Sequence, residues 1–326
     1  MRPASLTIVA SFLALALPAS APADGLPVPG VVSDDLVSLD GRHRFDTLPA
    51  GDGTSVARIA TAGGTIRSSR FLAGSFVIPA VTLDGSSSGL SAGGERLVLI
   101  RPRVQFPQAT TRLAILHAAT LRPQRIVTLR GDYSFDAISR DGRMLYLIEY
   151  LSRSDPTRYA VRAYEPRSGR LSEPIVDPRE PGEDMSGFPI TRATSPDGRW
   201  AYTLYDDGDH PFVHALDTDR RTAACIDLPE SLGGFLARAP AEHVDLTVGA
   251  GGRTLTVVEG GRPRAVIDTR TLRVSAPGAR RAVSRTDGGG GGPWPLAGVA
   301  ALTLVLSGGA AAAIRRRRAR PVAASR

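Results

Sequence analysis

The stretch Ser195-Pro-Asp-Gly-Arg-Trp-Ala-Tyr202 decides the fold, because variants of it recur along the chain. The variants that align with it without gaps are Ser91-Ala-Gly-Gly-Glu-Arg-Leu-Val98, Ser139-Arg-Asp-Gly-Arg-Met-Leu-Tyr146, Gly249-Ala-Gly-Gly-Arg-Thr-Leu-Thr256 and, more weakly, Ser38-Leu-Asp-Gly-Arg-His-Arg-Phe45. Their fourth-position glycines, at positions 41, 94, 142, 198 and 252, repeat with a period of about fifty residues. A tandem repeat of this length predicts an architecture built from one repeated supersecondary unit.

Each repeat combines a turn signal with strand-forming segments. Asp-Gly and Gly-Gly favour the positive φ that a tight hairpin requires, and an alternating, β-rich segment follows them. In the third unit the pattern predicts strands at residues 135–139, 143–150, 159–165 and 170–176. Four antiparallel strands in each of several tandem units are typical of β-propeller blades. An open β-solenoid and a two-sheet sandwich are the alternatives.

We therefore predict an all-β fold, a β-propeller of about five four-stranded antiparallel blades, at residues 36–76, 77–131, 132–184, 185–230 and 231–276. The Ser-Pro-Asp-Gly-Arg-x-x-Tyr pattern of residues 195–202 resembles the repeat of the YVTN and TolB-like β-propellers, which are relatives of the WD-repeat fold. The resemblance covers about residues 36–276. It implies a fold and leaves the function open, because this repeat occurs in scaffolds, lactonases and export-system proteins alike.

The N-terminus has the pattern of a secretory signal peptide. Arg2 is followed by an apolar run, residues 6–17, and by small residues up to Ala23, after which we expect cleavage. An uncleaved anchor is the alternative. No Cys directly follows the apolar run, which excludes a lipoprotein anchor. Residues 24–35 are then an N-terminal linker.

A transmembrane helix is predicted at residues 293–314, which carry no charged side chain. At a rise of about 1.5 Å per residue, this segment crosses a hydrocarbon core of about 30 Å. Residues 315–326 form an Arg-rich tail, and such a tail directly after a span indicates the cytoplasmic side. Residues 277–292 are a Gly-rich flexible linker. No Leu-Pro-x-Thr-Gly motif precedes the span, so a membrane helix is favoured over covalent cell-wall sorting.

The net charge of +8 comes mostly from the two ends of the chain. Seven of the 40 basic residues lie in residues 1–23 and 315–326, which leaves 33 basic against 32 acidic residues in between. A nearly neutral folded part argues against a nucleic-acid partner. Cys225 is the single cysteine, so no internal disulfide can form, and its apolar surroundings predict a buried thiol.

The connections between strands two and three and between blades are long, whereas the other turns are tight. In an up-and-down blade these two kinds of connection emerge on the same side, so we predict a binding surface there. The long connections are at residues 101–111, 151–157, 178–188, 206–211 and 230–242. The candidate binding residues on this face are charged: Arg101, Arg103, Arg153, Arg158, Asp206, Asp207, Asp209 and His210.

Two sequence patterns near His210 contain residue types that bind metal ions. Asp206-Asp-Gly-Asp-His210 gathers carboxylates, but it lacks the alternating spacing of a calcium loop, and Asp-Gly is ordinary turn chemistry. His210 and His214 are four residues apart, but here that spacing covers a turn and a strand rather than a helix. We therefore predict no metal site and no cofactor.

The first strand of each blade is expected to line a central channel. Asp136 and Arg192 occupy equivalent positions in neighbouring blades, so they are expected to pair across it. A structural ion pair is the main interpretation. The alternative is an acid and base pair of Asp136 and Asp245, as in five-bladed glycosidases. There is no Gly-x-Ser-x-Gly elbow and no phosphate-binding Gly loop, so no residue is assigned a catalytic role.

Three functional hypotheses follow from these patterns. The leading one is a membrane-tethered extracellular β-propeller that serves as a binding scaffold for a protein or a cell-envelope component. The second is a propeller hydrolase that acts on a lactone or a glycan with its channel carboxylates. The third is a purely structural spacer.

Overall fold

The computed structural model describes residues 36–182, 185–208, 210–234 and 244–278, which belong to one compact unit. The first two sheets consist of β1 (Leu36–Val37), β2 (His43–Ala50), β3 (Gly53–Ala60) and β4 (Ile66–Ala73), and of β5 (Arg96–Ile100), β6 (Thr110–His117) and β7 (Pro123–Arg130). The third sheet consists of β8 (Tyr133–Ile138), β9 (Leu145–Tyr150), β10 (Tyr159–Glu165) and β11 (Arg170–Ile175). The last two sheets consist of β12 (Phe188–Thr194), β13 (Trp200–Asp206), β14 (Phe212–Asp217) and β15 (Thr222–Asp227), and of β16 (Val244–Val248), β17 (Thr254–Glu259), β18 (Arg262–Asp268) and β19 (Arg273–Ser275).

The structure is all-β, with antiparallel strands that follow the chain order within each sheet, as the repeat predicts. Apart from these strands, the described part of the chain contains one short 3-10 helix, Glu230–Leu232. The third sheet matches its predicted strands to within two residues at each end. None of the described helices is long and apolar enough to span a membrane. The predicted signal peptide, the span at residues 293–314 and the Arg-rich tail lie outside the described residues.

The second sheet departs from the prediction of four strands, because its innermost strand is interrupted. Val77 pairs with Ile100 and Leu90 pairs with Leu97, but the residues between them leave the sheet. They form a hairpin in which Ala80 pairs with Ser87, and we call residues 78–88 the inner hairpin. Pro79 has no backbone N–H to donate to a continuous ladder, which favours an interruption at this point.

The inner hairpin reaches across to the fourth sheet. The backbone N–H groups of Leu83 and Asp84 donate to the carbonyls of Pro189 and Ile190 on β12, at 2.9 and 3.1 Å. The tip is closed by the Asp84 carboxylate, which accepts hydrogen bonds from the Thr82 hydroxyl at 2.6 Å and the Ser86 N–H at 2.9 Å. The second sheet therefore contributes a segment that fills space between other blades.

The hydrophobic core lies between consecutive sheets, since each inner sheet is covered on both faces. In β5, Leu97 and Leu99 pack against the first sheet, whereas Val98 and Ile100 pack against the third. All four side chains are fully buried. Because the side chains of a strand alternate between its faces, a strand covered on both faces needs a continuous apolar run. Leu97-Val-Leu-Ile100 is such a run.

The turn between the first and second strands is held by one repeated set of hydrogen bonds. In the third sheet the Ser139 hydroxyl donates to the Asp141 carboxylate at 2.7 Å, and that carboxylate accepts from the Arg143 N–H at 3.0 Å. The Ser139 hydroxyl also accepts from the Met144 N–H at 3.0 Å. The same contacts recur at Ser38 and Ser195. In the latter turn, the Ser195 hydroxyl lowers the pKa of Asp197.

The turn glycines allow these turns to pack against one another. All five adopt φ between 65° and 70°. The Arg96 guanidinium donates to the carbonyl of Gly142 at 2.7 Å, which joins the second and third sheets. At Gly198 an added Cβ would lie only 2.2 Å from the Cβ of Ala92, whereas at Gly94 it would meet nothing within 4 Å.

We predict that Gly198→Ala destabilises the protein more than Gly94→Ala. Both substitutions place alanine at positive φ, which costs about 1–2 kcal/mol. Only Gly198→Ala also creates the clash with Ala92, and overpacking of this kind adds about 1–3 kcal/mol. The measurement is the free energy of unfolding in urea for the two variants. Equal losses of stability would show that the turns do not pack as described.

Candidate functional site

The loop face is the side that carries the connections β5–β6, β9–β10, β11–β12, β13–β14 and β15–β16. Because the strands of each sheet are antiparallel and in chain order, the described parts of these connections emerge on one side. In the first and fifth sheets the corresponding turns are only residues 51–52 and 260–261. The long connections are therefore concentrated around the second, third and fourth sheets. We call the opposite side the tight-turn face.

Two of the predicted binding residues on the loop face are buried and anchor it. Arg103 is 6% exposed, and its guanidinium donates to Asp132 at 2.6 Å and to the Ser134 hydroxyl at 3.0 Å. Asp206 is 3% exposed, and its carboxylate accepts from the N–H groups of Gly208 at 3.1 Å and Gly234 at 3.2 Å. These side chains are not exposed to a partner, which corrects their prediction as binding residues of the loop face.

The β5–β6 and β9–β10 connections carry five exposed side chains, which we call the loop patch: Arg101, Val104, Leu151, Arg153 and Arg158. Val104 is 88% exposed and Leu151 is 46% exposed. The two connections meet beneath the patch, where the rings of Phe106 and Tyr150 pack edge to face with centroids 5.2 Å apart. The Arg103 guanidinium lies 5.0 Å from the centre of the Tyr150 ring. The patch therefore presents exposed apolar and cationic side chains on an ordered base.

The remaining predicted residues of the loop face form no metal site in the described part of the chain. Asp207 is exposed and accepts from the Ser186 hydroxyl at 2.6 Å. His210 is exposed, whereas His214 is buried in β14, so the two imidazoles occupy different environments. Asp209 lies outside the described residues. That the whole chain has no metal site stays a prediction.

The expected channel pair of Asp136 and Arg192 is present between the third and fourth sheets. The Arg192 guanidinium donates to the carboxylate and to the backbone carbonyl of Asp136, and both side chains are nearly fully buried. It also donates to the Thr203 hydroxyl at 2.7 and 3.0 Å. These contacts satisfy most of the guanidinium N–H groups. The pair therefore joins two blades, in keeping with a structural role.

Asp245, the other carboxylate of the hydrolase hypothesis, is exposed on β16 of the fifth sheet. Asp136 is buried against Arg192 on β12, so the two carboxylates occupy different environments. Neither of them lines the cavity of the tight-turn face described below. The structure thus gives no geometric support to Asp136 and Asp245 as an acid and base pair.

A polar row extends outward from this ion pair along one face of the fourth sheet. Arg192, Thr203, His214 and Cys225 are successive cross-strand partners on β12 to β15, so their side chains share a face. His214 is 2% exposed. Its Nε2 and the second carboxylate oxygen of Asp136 are buried without a hydrogen-bond partner among the described residues. Burial lowers the pKa of His214 to about 4, an effect that the charge of Asp136 opposes.

The outer end of the row holds a group with metal-ligand chemistry. One carboxylate oxygen each from Asp177 and Glu180 and the sulfur of Cys225 lie within 4.8 Å of one another. However, the Arg179 guanidinium donates to both oxygens of Asp177 at 3.0 Å, which already balances its charge. We assign no ion to this group. Cys225 is half-buried rather than fully buried, because β15 is the outermost strand of its sheet.

Sequence reasoning missed a cavity of about 210 Å³ on the tight-turn face. Its polar lining includes Ser87, Ser88 and Thr194, and its apolar lining includes Leu36, Leu90 and Trp200. The two serines belong to the run Gly85-Ser-Ser-Ser-Gly89, which has the composition of a flexible linker. The alignment of Ser88 with Asp136 and Arg192 was the signal that could have placed this run at the centre.

Comparisons with known proteins find weak structural likenesses. No protein-family model matches the sequence, and no curated protein matches it. TolB from Acinetobacter baumannii is 13% identical over 62% of this chain and 44% of that one, with a TM-score of 0.38. A putative 6-phosphogluconolactonase from Bacteroides uniformis ATCC 8492 is 17% identical over 77% of this chain and 71% of that one, with a TM-score of 0.39. An oligogalacturonate lyase in complex with manganese is 11% identical over 74% and 63% of the two chains, with a TM-score of 0.44.

This chain thus spans less than half the length of that TolB. At these TM-scores the likenesses carry no argument, so the class rests on the strand topology. Five sheets follow one another along the chain, and core clusters join each sheet to the next. The first strand of the third sheet is fully buried, whereas the last strands of the first, second and third sheets are largely exposed, as in propeller blades. The chain is a β-propeller repeat protein.

We predict that His214 makes the protein less stable as the pH falls from 6.5 towards 4. The imidazole stays neutral in the fold but takes up a proton in the unfolded chain below its usual pKa of 6.5. The free energy of unfolding should therefore fall by about 1.4 kcal/mol per pH unit in this window, and level off below the folded pKa. Carboxyl groups with lowered pKa values, such as Asp177, add their losses at lower pH, around and below 3.8.

The measurement is urea unfolding from about pH 4.5 to about pH 7, which covers most of this window. His214→Phe should remove this part of the pH dependence, whereas His117→Phe, at an exposed histidine, should leave it unchanged. If the wild type and His214→Phe lose stability in parallel, the imidazole is not buried in the neutral form.

Proposed function

We propose that this protein is a membrane-tethered extracellular β-propeller that binds a protein or a cell-envelope component through its loop face. The observation that carries the proposal is the loop patch. Val104 is 88% exposed on a connection that the buried pair of Arg103 and Asp132 anchors. Exposed apolar side chains that occur together with arginines on two long connections offer the mixed apolar and polar chemistry of an interface.

The charges of the patch indicate the kind of partner. Arg101, Arg153 and Arg158 are exposed on the same two connections as the two apolar side chains. Arginine is favoured at interfaces because its planar guanidinium binds carboxylates and phosphates with paired hydrogen bonds. We therefore propose an anionic partner surface with an apolar centre. The near-neutral charge of residues 24–314 argues against nucleic acid as this partner.

The tether follows from the two ends of the sequence. A signal peptide at residues 1–23 exports the folded part, and a single span at residues 293–314 retains it at the membrane. In this proposal the Gly-rich residues 277–292 are the spacer between the propeller and the span. A binding module needs no catalytic group, and the sequence contains no catalytic motif of the kinds considered above.

The binding proposal predicts contact-dependent crosslinking. A photo-crosslinking amino acid is placed at Val104 in the full chain in its native membrane, and a matched control carries it at Ile66, which is 61% exposed on the outermost strand of the first sheet. We expect one discrete adduct from Val104 only. Reversal of Arg101, Arg153 and Arg158 to Glu should abolish it. Equal adducts at both positions, or an adduct that survives the charge reversal, would contradict the loop patch as the binding surface.

The proposed membrane orientation predicts a second outcome. An epitope tag fused after Arg326 should be protected from protease added to intact cells and should become accessible once the cells are permeabilised. A tag on the loop face, inserted next to Ser154, should be cleaved in both conditions. Cleavage of the Arg326 tag in intact cells would show that the Arg-rich tail is not cytoplasmic.

A further inference from the structure

The cavity of the tight-turn face lies beside the inner hairpin. The tip of the inner hairpin is bonded to Pro189 and Ile190 on β12. The residues that line the cavity lie further along the same strand, at Arg192 and Thr194, and at the base of the hairpin, at Ser88. The cavity therefore lies at the tight-turn end of β12, beyond the part of the strand to which the hairpin tip is bonded. We call it the tight-turn pocket.

The pocket offers hydrogen-bonding groups that have no partner within the described protein. The hydroxyls of Ser87, Ser88 and Thr194 line it, and none of them makes a side-chain hydrogen bond to another described residue. A hydroxyl can both donate and accept a hydrogen bond. Groups of this kind are best matched by a ligand whose own groups also donate and accept. Hydroxyl groups on the ligand meet that condition.

The pocket carries little net charge for a ligand to neutralise. Arg192 is the single ionisable residue among those that line it, and its guanidinium is paired with Asp136 and Thr203. An anionic ligand would find no free positive charge there, and it would lose its hydration without compensation. A cationic ligand would meet the same cost. The pocket therefore favours a neutral ligand.

Its size and walls restrict the ligand further. About 210 Å³ is below the range of about 300–1,000 Å³ that is usual for drug-sized ligands, so only one small ring or a short side group can enter. Leu36, Leu90 and Trp200 supply apolar walls for the carbon skeleton. Outside, Leu39, Ala92 and Thr218 also border a wider depression of about 980 Å³, which can hold the rest of a longer molecule.

We propose that the pocket binds a neutral, polyhydroxylated ring, namely the terminal sugar residue of a glycan. The hydroxyls of Ser87, Ser88 and Thr194 bind the sugar hydroxyls, and the apolar walls pack against its ring carbons. The remaining sugar units follow the depression between the tight turns. This site is on the face opposite to the loop patch, so it does not depend on the proposed function.

The experiment uses the fluorescence of Trp200 in the full-length chain. The sequence contains two tryptophans, and Trp294→Phe leaves Trp200 as the only one. The probes are the methyl glycosides of glucose, galactose and N-acetylglucosamine, with methyl glucuronate as the charged counterpart of glucose. We expect a saturable change of emission, with a dissociation constant of about 1 mM or below for at least one neutral glycoside. Methyl glucuronate should bind at least about tenfold more weakly than methyl glucoside, if glucoside is the ligand that binds.

Two variants test the assignment of the hydroxyls. The double variant Ser88→Ala with Thr194→Val keeps the shape of the pocket and removes two hydroxyls, so it should weaken binding about tenfold or more. Ser154→Ala, at an exposed serine of the loop face, is the matched control and should bind as tightly as the parent. Circular dichroism and the thermal unfolding midpoint verify that each variant is folded.

Several outcomes would overturn the proposal. No saturable change with any neutral glycoside would exclude a sugar site at Trp200. Equal or tighter binding of the glucuronate would contradict the neutral pocket, and unchanged binding by the double variant would contradict the role of the hydroxyls. Val104→Asp on the loop face should not alter sugar binding. A failure of this proposal therefore leaves the crosslinking test of the loop patch unaffected.

Discussion

Every sheet of this protein depends on the turn where the chain reverses between its first and second strands. A glycine at φ between 65° and 70° makes the reversal possible in all five repeats. In three of them a serine hydroxyl and an aspartate then satisfy the backbone N–H groups that the reversal leaves unpaired. Because the turn fixes the register of the strand pair, it also determines which side chains of the second strand face each neighbouring blade. Tyr146, seven residues after Ser139, is thereby placed to donate its hydroxyl to the carbonyl of Thr218 in the next sheet, at 2.6 Å.

Burial on both faces of a blade imposes a second condition, since any polar side chain between blades must find its partner there. Between the third and fourth sheets, most of the buried polar groups are satisfied because Arg192 pairs with Asp136 and donates to the Thr203 hydroxyl. The Nε2 of His214 and one oxygen of Asp136 are left without a described partner. The imidazole stays neutral mainly because burial disfavours its charged form, and the positive charge of Arg192 acts in the same direction. Polar contacts thus stabilise the interface, but the protein becomes less stable at low pH because the buried imidazole resists protonation.

The sequence predicts the features that recur from repeat to repeat well, and it predicts the features that occur only once poorly. The positions of the strands in the third sheet follow from the spacing of one turn motif, and the pairing of Asp136 with Arg192 follows from their equivalent positions in two repeats. The burial of Arg103 depends on Asp132, which lies 29 residues away and shares no repeat position with it. The inner hairpin has no counterpart in other repeats, and its Gly-Ser-Ser-Ser-Gly composition resembles a linker. Its fold depends on contacts with β12 that no local pattern encodes.

The inner hairpin and the tight-turn pocket lie at different ends of β12. The hairpin tip is bonded to Pro189 and Ile190, towards the loop face, whereas the pocket is lined by Arg192 and Thr194, towards the tight turns. A partner on the loop face and a ligand between the tight turns would therefore not compete for space. They would still share β12, which binds the hairpin through Pro189 and Ile190 and lines the pocket with Arg192 and Thr194. Any coupling between the two faces would have to act through a shift of this strand, and the buried pair of Arg192 and Asp136 opposes such a shift. The geometry thus favours two sites that bind independently on one rigid scaffold.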